Sequence, residues 1–317
     1  MQRPFSSDGM RSVLPTWLAA ILLVMLVTTG CARKPKALTV KAEKTVNREL
    51  TGAAGRIVIR IESGVVELVP DPDTASLQMD VIHRVSGDDK DTVLSQVGES
   101  ELGVEELDEE IRINHEPSGR NDLEESVDVT IRFPESMAFD LEVVLDTGDI
   151  RVRGITGRIR LQGLQGDMKV QESTGEMNLF TRNGNLEILD ARGPLTANTH
   201  NGNMTIRGQS GTGVRATCVV GDLDIQLADD GFGPVIADTT TGRISASLGA
   251  AFSGTLNLGA SRGTILIEDP GDRIVESTED KGERTLKIGR EGSSISSLGT
   301  SSGSIALRIR PAATEDR

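Results

Sequence analysis

The chain has 317 residues, of which 26% are charged and 2% are aromatic, and its formal net charge at pH 7 is −14. Nucleic-acid binding needs a basic face and aromatic platforms for the bases, so this composition argues against nucleic acid as a partner. Removal of residues 1–30, a predicted signal peptide, leaves 32 of the 34 basic and 47 of the 48 acidic side chains, which makes the mature chain slightly more acidic.

The N-terminus has the layout of an export signal. Arg3 and Arg11 precede an apolar run at residues 18–27, which is too short to span a bilayer but suits the core of a signal peptide. The residues Thr28-Thr29-Gly30-Cys31 follow and resemble the lipobox of bacterial lipoproteins, in which the cysteine is diacylated. The resemblance implies a lipid anchor on Cys31. Ala32 stands where an aspartate often retains such lipoproteins in the inner membrane, so the resemblance also implies the outer membrane, on either of its faces. The alternative is an ordinary signal peptide with a chance cysteine.

Residues 31–46 are polar and basic and are predicted to be a tether between the lipid anchor and the fold. Residues 47–146 are predicted to be the β-rich first part of the fold, because apolar and polar residues alternate in several short runs. These runs are residues 55–61, 64–68, 77–82, 110–113, 127–133 and 139–145. The acidic segment 88–110 carries Val93, Val97 and Leu102 at helical spacing, which predicts a short helix or a mobile excursion.

A nine-residue repeat follows. Its glycines are Gly148, Gly157, Gly166, Gly175, Gly184, Gly193, Gly202 and Gly211. Each is followed by an apolar–polar–apolar segment, which predicts a short strand with one buried face and a glycine at the corner. Nine residues are too few for a strand and a helix, so the repeat predicts a solenoid in which each coil packs on its neighbours.

Stronger corners recur every 18 to 21 residues, at Gly148, Gly166, Gly184, Gly202, Gly221, Gly242, Gly263, Gly282 and Gly303. They predict an all-β, single-stranded β-helix over residues 147–310, with two or three strands per coil and a polar tail at residues 311–317. Nine coils at about 4.8 Å each would form a rod of roughly 40 Å.

Residues one coil apart are predicted to stack. Ile150, Met168, Leu186 and Met204 should form one internal column, while Glu187 should point to solvent. Asn183 should stack on Asn201, and Asn185 on Asn203, as hydrogen-bonded ladders.

Residues 127–152 carry a family resemblance. A strand that ends at Pro134, a second strand and a Gly-Asp-Ile corner at Gly148 resemble the DUF4097 family, also called the "putative adhesin" family. The likeness covers residues 46–310. It implies a β-helix that is exported to the cell envelope, and it brings no catalytic residues to this chain.

The corners also carry candidate metal ligands. Asp149, Asp167, Asp222 and Asp224 lie at or near them, and stacked corner carboxylates bind Ca²⁺ in some β-rolls. Matching positions hold Arg158, Glu176, Asn185, Asn203 and Arg243, however, and an arginine in the row opposes a cation. The interpretation is therefore that these are solvated corner residues, with no metal, no cofactor and no divalent ion needed for folding.

Further candidate groups are basic or soft ligands. Arg151, Arg153, Arg158 and Arg160 near acidic corners fit either a polysaccharide-cleaving site or alternating charges on an exposed sheet. His83, His115 and His200 are scattered, with no spacing typical of a metal site. Cys218 follows Val214 and Ala216 at period two, which predicts a small inward core residue.

These observations predict a lipid-anchored envelope β-solenoid that is not an enzyme and that binds an envelope protein or a glycan, or serves as a scaffold. The membrane would be contacted through the lipid on Cys31. One alternative is a β-helix polysaccharide lyase or hydrolase, which three or more carboxylates in one cleft beside Arg or Lys would favour. The other is a self-assembling structural protein, which an uncapped final coil would favour.

Overall fold

A computed structural model describes residues 22–26, 39–50, 55–100, 102–280, 282–289 and 294–311. Cys31, most of the predicted signal peptide, the first part of the tether and residues 312–317 lie outside these ranges. The described residues form one helix and 26 strands, so the predicted all-β fold is confirmed.

The strands before the repeat, with the one helix, are β1 (Leu22–Leu26), β2 (Val40–Leu50), β3 (Arg56–Ser63), β4 (Val66–Pro70), β5 (Leu77–Gly87), α1 (Lys90–Glu99), β6 (Gly103–Glu106), β7 (Glu110–Asn114), β8 (Leu123–Phe133) and β9 (Asp140–Thr147). Those of the regular repeat are β10 (Ile150–Arg153), β11 (Ile159–Gln165), β12 (Met168–Gln171), β13 (Met177–Asn183), β14 (Leu186–Leu189), β15 (Leu195–Asn201), β16 (Met204–Gln209), β17 (Thr212–Val220), β18 (Leu223–Leu227), β19 (Phe232–Thr241) and β20 (Ile244–Leu248). The last are β21 (Gly254–Ala260), β22 (Ile265–Glu268), β23 (Ile274–Asp280), β24 (Glu283–Ile288), β25 (Ile295–Ser302) and β26 (Ile305–Ile309).

Two long sheets enclose the core. Sheet A has the strand order β1-β2-β5-β8-β4-β10-β12-β14-β16-β18-β20-β26-β22, and sheet B has the order β23-β24-β21-β25-β19-β17-β15-β13-β11-β9-β3-β7-β6. Each coil gives one strand to each sheet, and neighbouring coils pair in parallel. A third, short side is formed by single bridges between coils, such as Thr156 to Thr174.

The 18-residue register holds in the regular repeat. Ile150 pairs with Met168, Met168 with Leu186 and Leu186 with Met204, and all four side chains are buried. Glu187, the residue after Leu186, points outward. The predicted internal column is thus confirmed, and it belongs to one continuous core that runs through both sheets.

The corner glycines are required by close packing of the backbone. Gly166 has φ +133, and a Cβ atom there would overlap the carbonyl oxygen of Gly148 in the coil below. Both the positive φ and the contact exclude other residue types.

The stacking order departs from chain order at the C-terminal end. The last coil, β25 and β26, lies between β19/β20 and β21/β22. Gly303 therefore packs on Gly242, and Gly263 packs on Gly303. The predicted succession Gly242, Gly263, Gly282, Gly303 is corrected: Gly282 lies in the turn of an antiparallel hairpin, β23 and β24, that covers the end of sheet B. A repeat period gives the length of a coil but does not say which coil is its neighbour.

The N-terminal end shows the same departure. The coil β3/β4 packs directly on β9/β10, and β7/β8, which lies between them in sequence, packs outside it. The stack thus has ten coils among the described residues, or roughly 43 Å at about 4.8 Å per step.

The predicted helix in segment 88–110 is confirmed as α1. Asp89 caps it by accepting a hydrogen bond from the backbone N–H of Thr92 at 2.8 Å, and Val93 and Val97 are buried against β2 and β5. Leu102 lies beyond the end of the helix and packs against the main core.

Sheet A continues beyond the coils as antiparallel strands. β5 pairs with β8, β2 pairs with β5, and β1 pairs with β2. β2 begins at Val40, inside the segment predicted as a tether, because Val40 and Ala42 turn inward while the lysines beside them stay at the surface. β1 lies inside the predicted signal peptide.

Among the residues described, no helix has the length and apolar character needed to cross a membrane.

Candidate functional site

The acidic corner residues form a hydrogen-bonded ladder. An Oδ1 atom of Asp149 accepts from the backbone N–H of Asp167 at 3.1 Å, and Asp167 accepts from Asn185 at 2.7 Å. Asn185 accepts from Asn203 at 2.9 Å, and the ladder continues through Asp222 to Arg243. Each side chain satisfies a backbone donor that the corner leaves without a ladder partner.

This ladder explains why these corners hold either Asp or Asn. Either side chain supplies the one acceptor oxygen that the next coil needs. A Ca²⁺ site requires several oxygen ligands that converge on one point. The acceptors of the ladder instead point along the stack to successive coils. Asp224 takes no part in the ladder and forms an ion pair with Arg207 at 2.9 Å. The asparagine stacking is confirmed, since Asn201 also donates to Asn183 at 2.8 Å.

The four candidate arginines do not form one site. Arg151 and Arg153 lie on sheet A, whereas Arg158 and Arg160 lie at or on β11 in sheet B. Arg151 pairs with Asp149 at 2.7 Å, and Arg153 pairs with Glu172 at 2.8 Å. Arg158 pairs with two carboxylates, of Asp140 at 3.9 Å and Glu176 at 3.6 Å. Such exposed pairs contribute about 0–1 kcal/mol each and describe a solvated, charge-balanced surface.

Three depressions follow one another along the outer face of sheet A, and together they are called the sheet A groove. The N-terminal depression holds about 660 Å³, the middle one about 470 Å³ and the C-terminal one about 660 Å³. Residues that line them include Glu43, Arg84 and Glu124, then Lys169, Glu187 and Thr205, then Ser245, Ser247 and Arg308. The three depressions together span most of the stack and are lined by charged and hydroxyl side chains, with the exposed Leu266 as an apolar contact in the C-terminal one.

The N-terminal depression is where several carboxylates come together. Glu43 and Glu124 face outward, while Glu125 turns inward and its side chain is only 4% exposed. Arg84 pairs with Glu43 at 3.2 Å and with Asp128, and these partners raise the pKa of its guanidinium, with the Asp128 hydrogen bond as the largest cause. The depression thus contains the three carboxylates that a polysaccharide-cleaving site was expected to show, beside Lys41 and Arg84, but Glu125 is buried and turned inward and Arg84 is already paired.

The outer face of sheet B carries an exposed aromatic side chain. Phe180 is 44% exposed there, between Gln162 and Asn198 of the neighbouring coils. This face is the control surface for the sheet A groove.

The structure brings two of the three histidines together. The ring centroids of His83 and His115 lie 5.3 Å apart, and Glu125 lies beside them, whereas His200 is exposed at a corner. The alternation Leu77, Met79, Val81, His83 could have placed His83 on the inward face, but no local signal connects it to His115 or Glu125. Cys218 is buried, as predicted.

Several solved structures resemble this chain at low sequence identity. They include a "putative cell adhesion protein" from Clostridium sporogenes, at 12% identity over 84% of this chain and all of that one, with a TM-score of 0.25. "Putative adhesins" from Bacteroides fragilis and Parabacteroides distasonis match at 15% and 10% identity over 84% of this chain and 97% and 96% of theirs, with TM-scores of 0.33 and 0.30. No functional conclusion follows from TM-scores this low.

No curated protein matches the chain significantly. A family model does match, and it covers residues 56–308, from the first strand of the coil β3/β4 almost to the end of β26. This range contains all ten coils, including the intercalated last one. The chain therefore belongs to the family described as Toastrack DUF4097.

Proposed function

We propose that this protein is a non-catalytic binding protein of the cell envelope, held to a membrane by a lipid on Cys31, which binds an extended polar partner along the sheet A groove. The partner is an envelope protein or a glycan. The observation that carries the proposal is the row of three depressions along one face of a stack of ten coils.

The lining of the groove suits a polar partner. The C-terminal depression is lined by Ser245, Ser247, Glu268 and Arg308, so it offers hydroxyl donors and acceptors together with charges of both signs. In the middle depression, Lys169 and Glu187 pair at 2.9 Å and leave Thr205 as a neutral contact on the next coil. Such a surface can exchange hydrogen bonds with a chain of amides or hydroxyls without burying an unpaired charge.

Rigidity supports a binding role. The parallel ladders between coils fix the spacing of the outward side chains at about 4.8 Å, so the groove is formed before the partner arrives. With the lipid at the N-terminal side, β2 and β5, which lie beyond the coil β7/β8, would be nearest the membrane, and the coils would carry the groove away from it.

Self-assembly is favoured less. At the C-terminal end the hairpin β23/β24 covers the last coil strand of sheet B, so the edge strands are β23 in sheet B and the four-residue β22 in sheet A. β23 carries Glu276, Glu279 and Asp280, and charges on an edge strand disfavour pairing with another chain. Short edge strands are poor templates for pairing with another chain.

Site-specific photo-crosslinking in the native cells tests the proposal. A photoreactive aromatic residue is placed at Ser247 or Thr205 in the groove, and at Gln162 on the outer face of sheet B as the matched control. We expect adducts from the groove positions and none from Gln162, with a discrete band for a protein partner and a ladder for a glycan. Equal adducts at all three positions, no adduct in the groove, or only bands at twice the mass of the chain would contradict it.

A further inference from the structure

A cluster of three buried polar side chains lies at the N-terminal end of the stack. His83 comes from β5, Glu125 from the adjacent strand β8, and His115 from the residue that follows β7. One ligand-type atom from each of the three lies within 4.8 Å of the other two, and His83 Nε2 is 3.7 Å from Glu125 Oε2. This group is called the His–Glu cluster below.

The cluster holds polar atoms that have no hydrogen-bond partner. His83 is 5% exposed and His115 is 7% exposed, and the side chain of Glu125 is 4% exposed. The unpartnered atoms are His83 Nδ1, both ring nitrogens of His115, and Glu125 Oε2. A buried polar atom without a partner costs about 1–3 kcal/mol, so four of them in one place indicate that another group completes the site.

Surrounding residues orient the carboxylate. Ser118 donates from its backbone N–H, at 3.1 Å, and from its hydroxyl to Oε1 of Glu125. This leaves the other oxygen, Oε2, directed at the histidines. Fixing a ligand oxygen through its partner in this way is typical of metal sites, where residues behind the ligands set their orientation.

Both imidazoles are held neutral. Burial, as the largest cause, together with the neighbouring His115 and Lys44 lowers the pKa of His83 to about 4, against the raising effect of Glu125. Burial likewise lowers the pKa of His115, against Glu125 and Glu62. Neutral imidazoles at pH 7 present the lone pairs that a metal ion needs.

The cluster has further charged and polar neighbours. Lys44 on β2 donates to the carbonyl oxygens of Gly98 and Ser100, at 3.3 and 3.4 Å, and its positive charge opposes a cation. Glu62 and Glu125 supply negative charge on the other side. The hydroxyl of Ser100 lies 3.4 Å from His83 Nε2. One divalent ion is compatible with this balance of two carboxylates and one ammonium.

We propose that His83, His115 and Glu125 bind one divalent transition-metal ion, and that Zn²⁺ fits best. Two imidazoles and one carboxylate are a ligand set that Zn²⁺ uses, whereas Ca²⁺ and Mg²⁺ require oxygen ligands. Ligand atoms of a tetrahedral zinc site lie about 3.3 Å apart, so the widest separation in the cluster must close by roughly 1.5 Å on binding.

The site has a route to solvent. A cavity of about 190 Å³ borders His115 and Glu125 and is lined also by Glu62, Pro117 and Asn121. The fourth ligand position would open into this cavity and hold water or a donor group of a ligand. Binding would join β5 and β8 of sheet A to the end of β7 in sheet B, at the end of the stack next to the predicted anchor.

Titration of the full chain in detergent with Co²⁺, after removal of metal by a chelator, tests the proposal. Co²⁺ in a tetrahedral nitrogen–oxygen site absorbs strongly in the visible region, and Zn²⁺ displaces it. We expect one Co²⁺ per chain with this spectrum, loss of the spectrum when Zn²⁺ is added, and binding at least 100-fold weaker in His115→Ala.

Two further variants keep the result interpretable. His200→Ala removes the exposed histidine and should bind Co²⁺ like the wild type. Glu125→Gln keeps the shape of the side chain and should weaken binding at least 10-fold while circular dichroism shows an intact fold. Absence of a stoichiometric Co²⁺ spectrum in the wild type, or equal affinity in the wild type and Glu125→Gln, would overturn the proposal.

Discussion

The thiol of Cys218 donates a hydrogen bond to the carbonyl oxygen of Gly202, 3.3 Å away in the neighbouring coil. Equivalent bonds run through the stack from threonine hydroxyls to corner glycines: Thr181 to Gly166, Thr199 to Gly184, Thr239 to Gly221 and Thr300 to Gly242. Cys218 therefore occupies a threonine position in a column of inward donors, and its role is to satisfy a corner carbonyl as well as to fill space.

This column predicts the effect of substitution at Cys218. Cys218→Thr should leave the free energy of unfolding within about 0.5 kcal/mol, because the donor is kept, whereas Cys218→Val should lower it by about 1 kcal/mol. Urea denaturation of the two variants measures the difference. Val more stable than Thr at this position would show that packing alone matters there.

The register predicts opposite effects at two adjacent residues. Leu186→Ala should lower the free energy of unfolding by about 2–5 kcal/mol, because coils above and below fix the cavity that it leaves. Glu187→Ala removes one exposed ion pair with Lys169 and should change stability by no more than about 0.5 kcal/mol. Denaturant melts of the two variants check this, and equal effects would contradict the register.

The corner ladder predicts indifference to calcium. Addition of Ca²⁺ should not shift the melting temperature, because the carboxylates at the corners accept backbone hydrogen bonds. Asp167→Asn should keep wild-type stability, since Asn185 performs the same role one coil on, and Asp167→Ala should cost about 1 kcal/mol. A melting temperature that rises with Ca²⁺ and fails to rise in Asp167→Asn would show a metal site there.

The buried histidines predict a loss of stability in mild acid. A histidine whose folded-state pKa lies below its unfolded-state value of 6.5 protonates preferentially in the unfolded chain. For His83, with a pKa of about 4, stability is complete above pH 6.5 and falls as the pH drops toward 4. The slope approaches about 1.4 kcal/mol per pH unit for each such imidazole.

Urea melts of metal-free protein between pH 7 and 4 measure this slope, and His83→Gln is the comparison. The variant should show a shallower dependence than the wild type, while the carboxylates contribute equally to both. Parallel pH profiles would show that His83 does not titrate in this range.

The proposed lipid anchor predicts a change in location. Cys31→Ser removes the sulfur that would carry the lipid and should release the protein from membranes into the soluble fraction. Fractionation of cells followed by immunodetection checks it. A Cys31→Ser protein that still requires detergent for extraction would exclude the lipobox assignment.

The local pattern of the sequence predicts where each coil lies in the chain, but it does not predict which coils pack next to each other. The column from Ile150 to Met204 follows from alternation and an 18-residue period, which are properties of consecutive residues. The position of Gly303 between Gly242 and Gly263 depends on which edge a late coil joins, and every edge of a repeat looks alike. The His–Glu cluster is not predicted for the same reason: antiparallel pairing of β5 with β8 brings His83 near Glu125, and His115 comes from the end of β7 in the other sheet.

The coil that is completed last does not stand last in the stack. A chain that emerges from an export channel with its N-terminus first can add coils in succession from β9 to β20, but β21 then pairs only with β24 of the hairpin, and β22 has no partner strand, until residues 295–309 arrive. Closing this long-range contact is slow compared with adding the next coil. The final step of maturation is thus an insertion, and a chain that is truncated shortly before Ile295 would leave the preceding coil and its hairpin exposed to proteases.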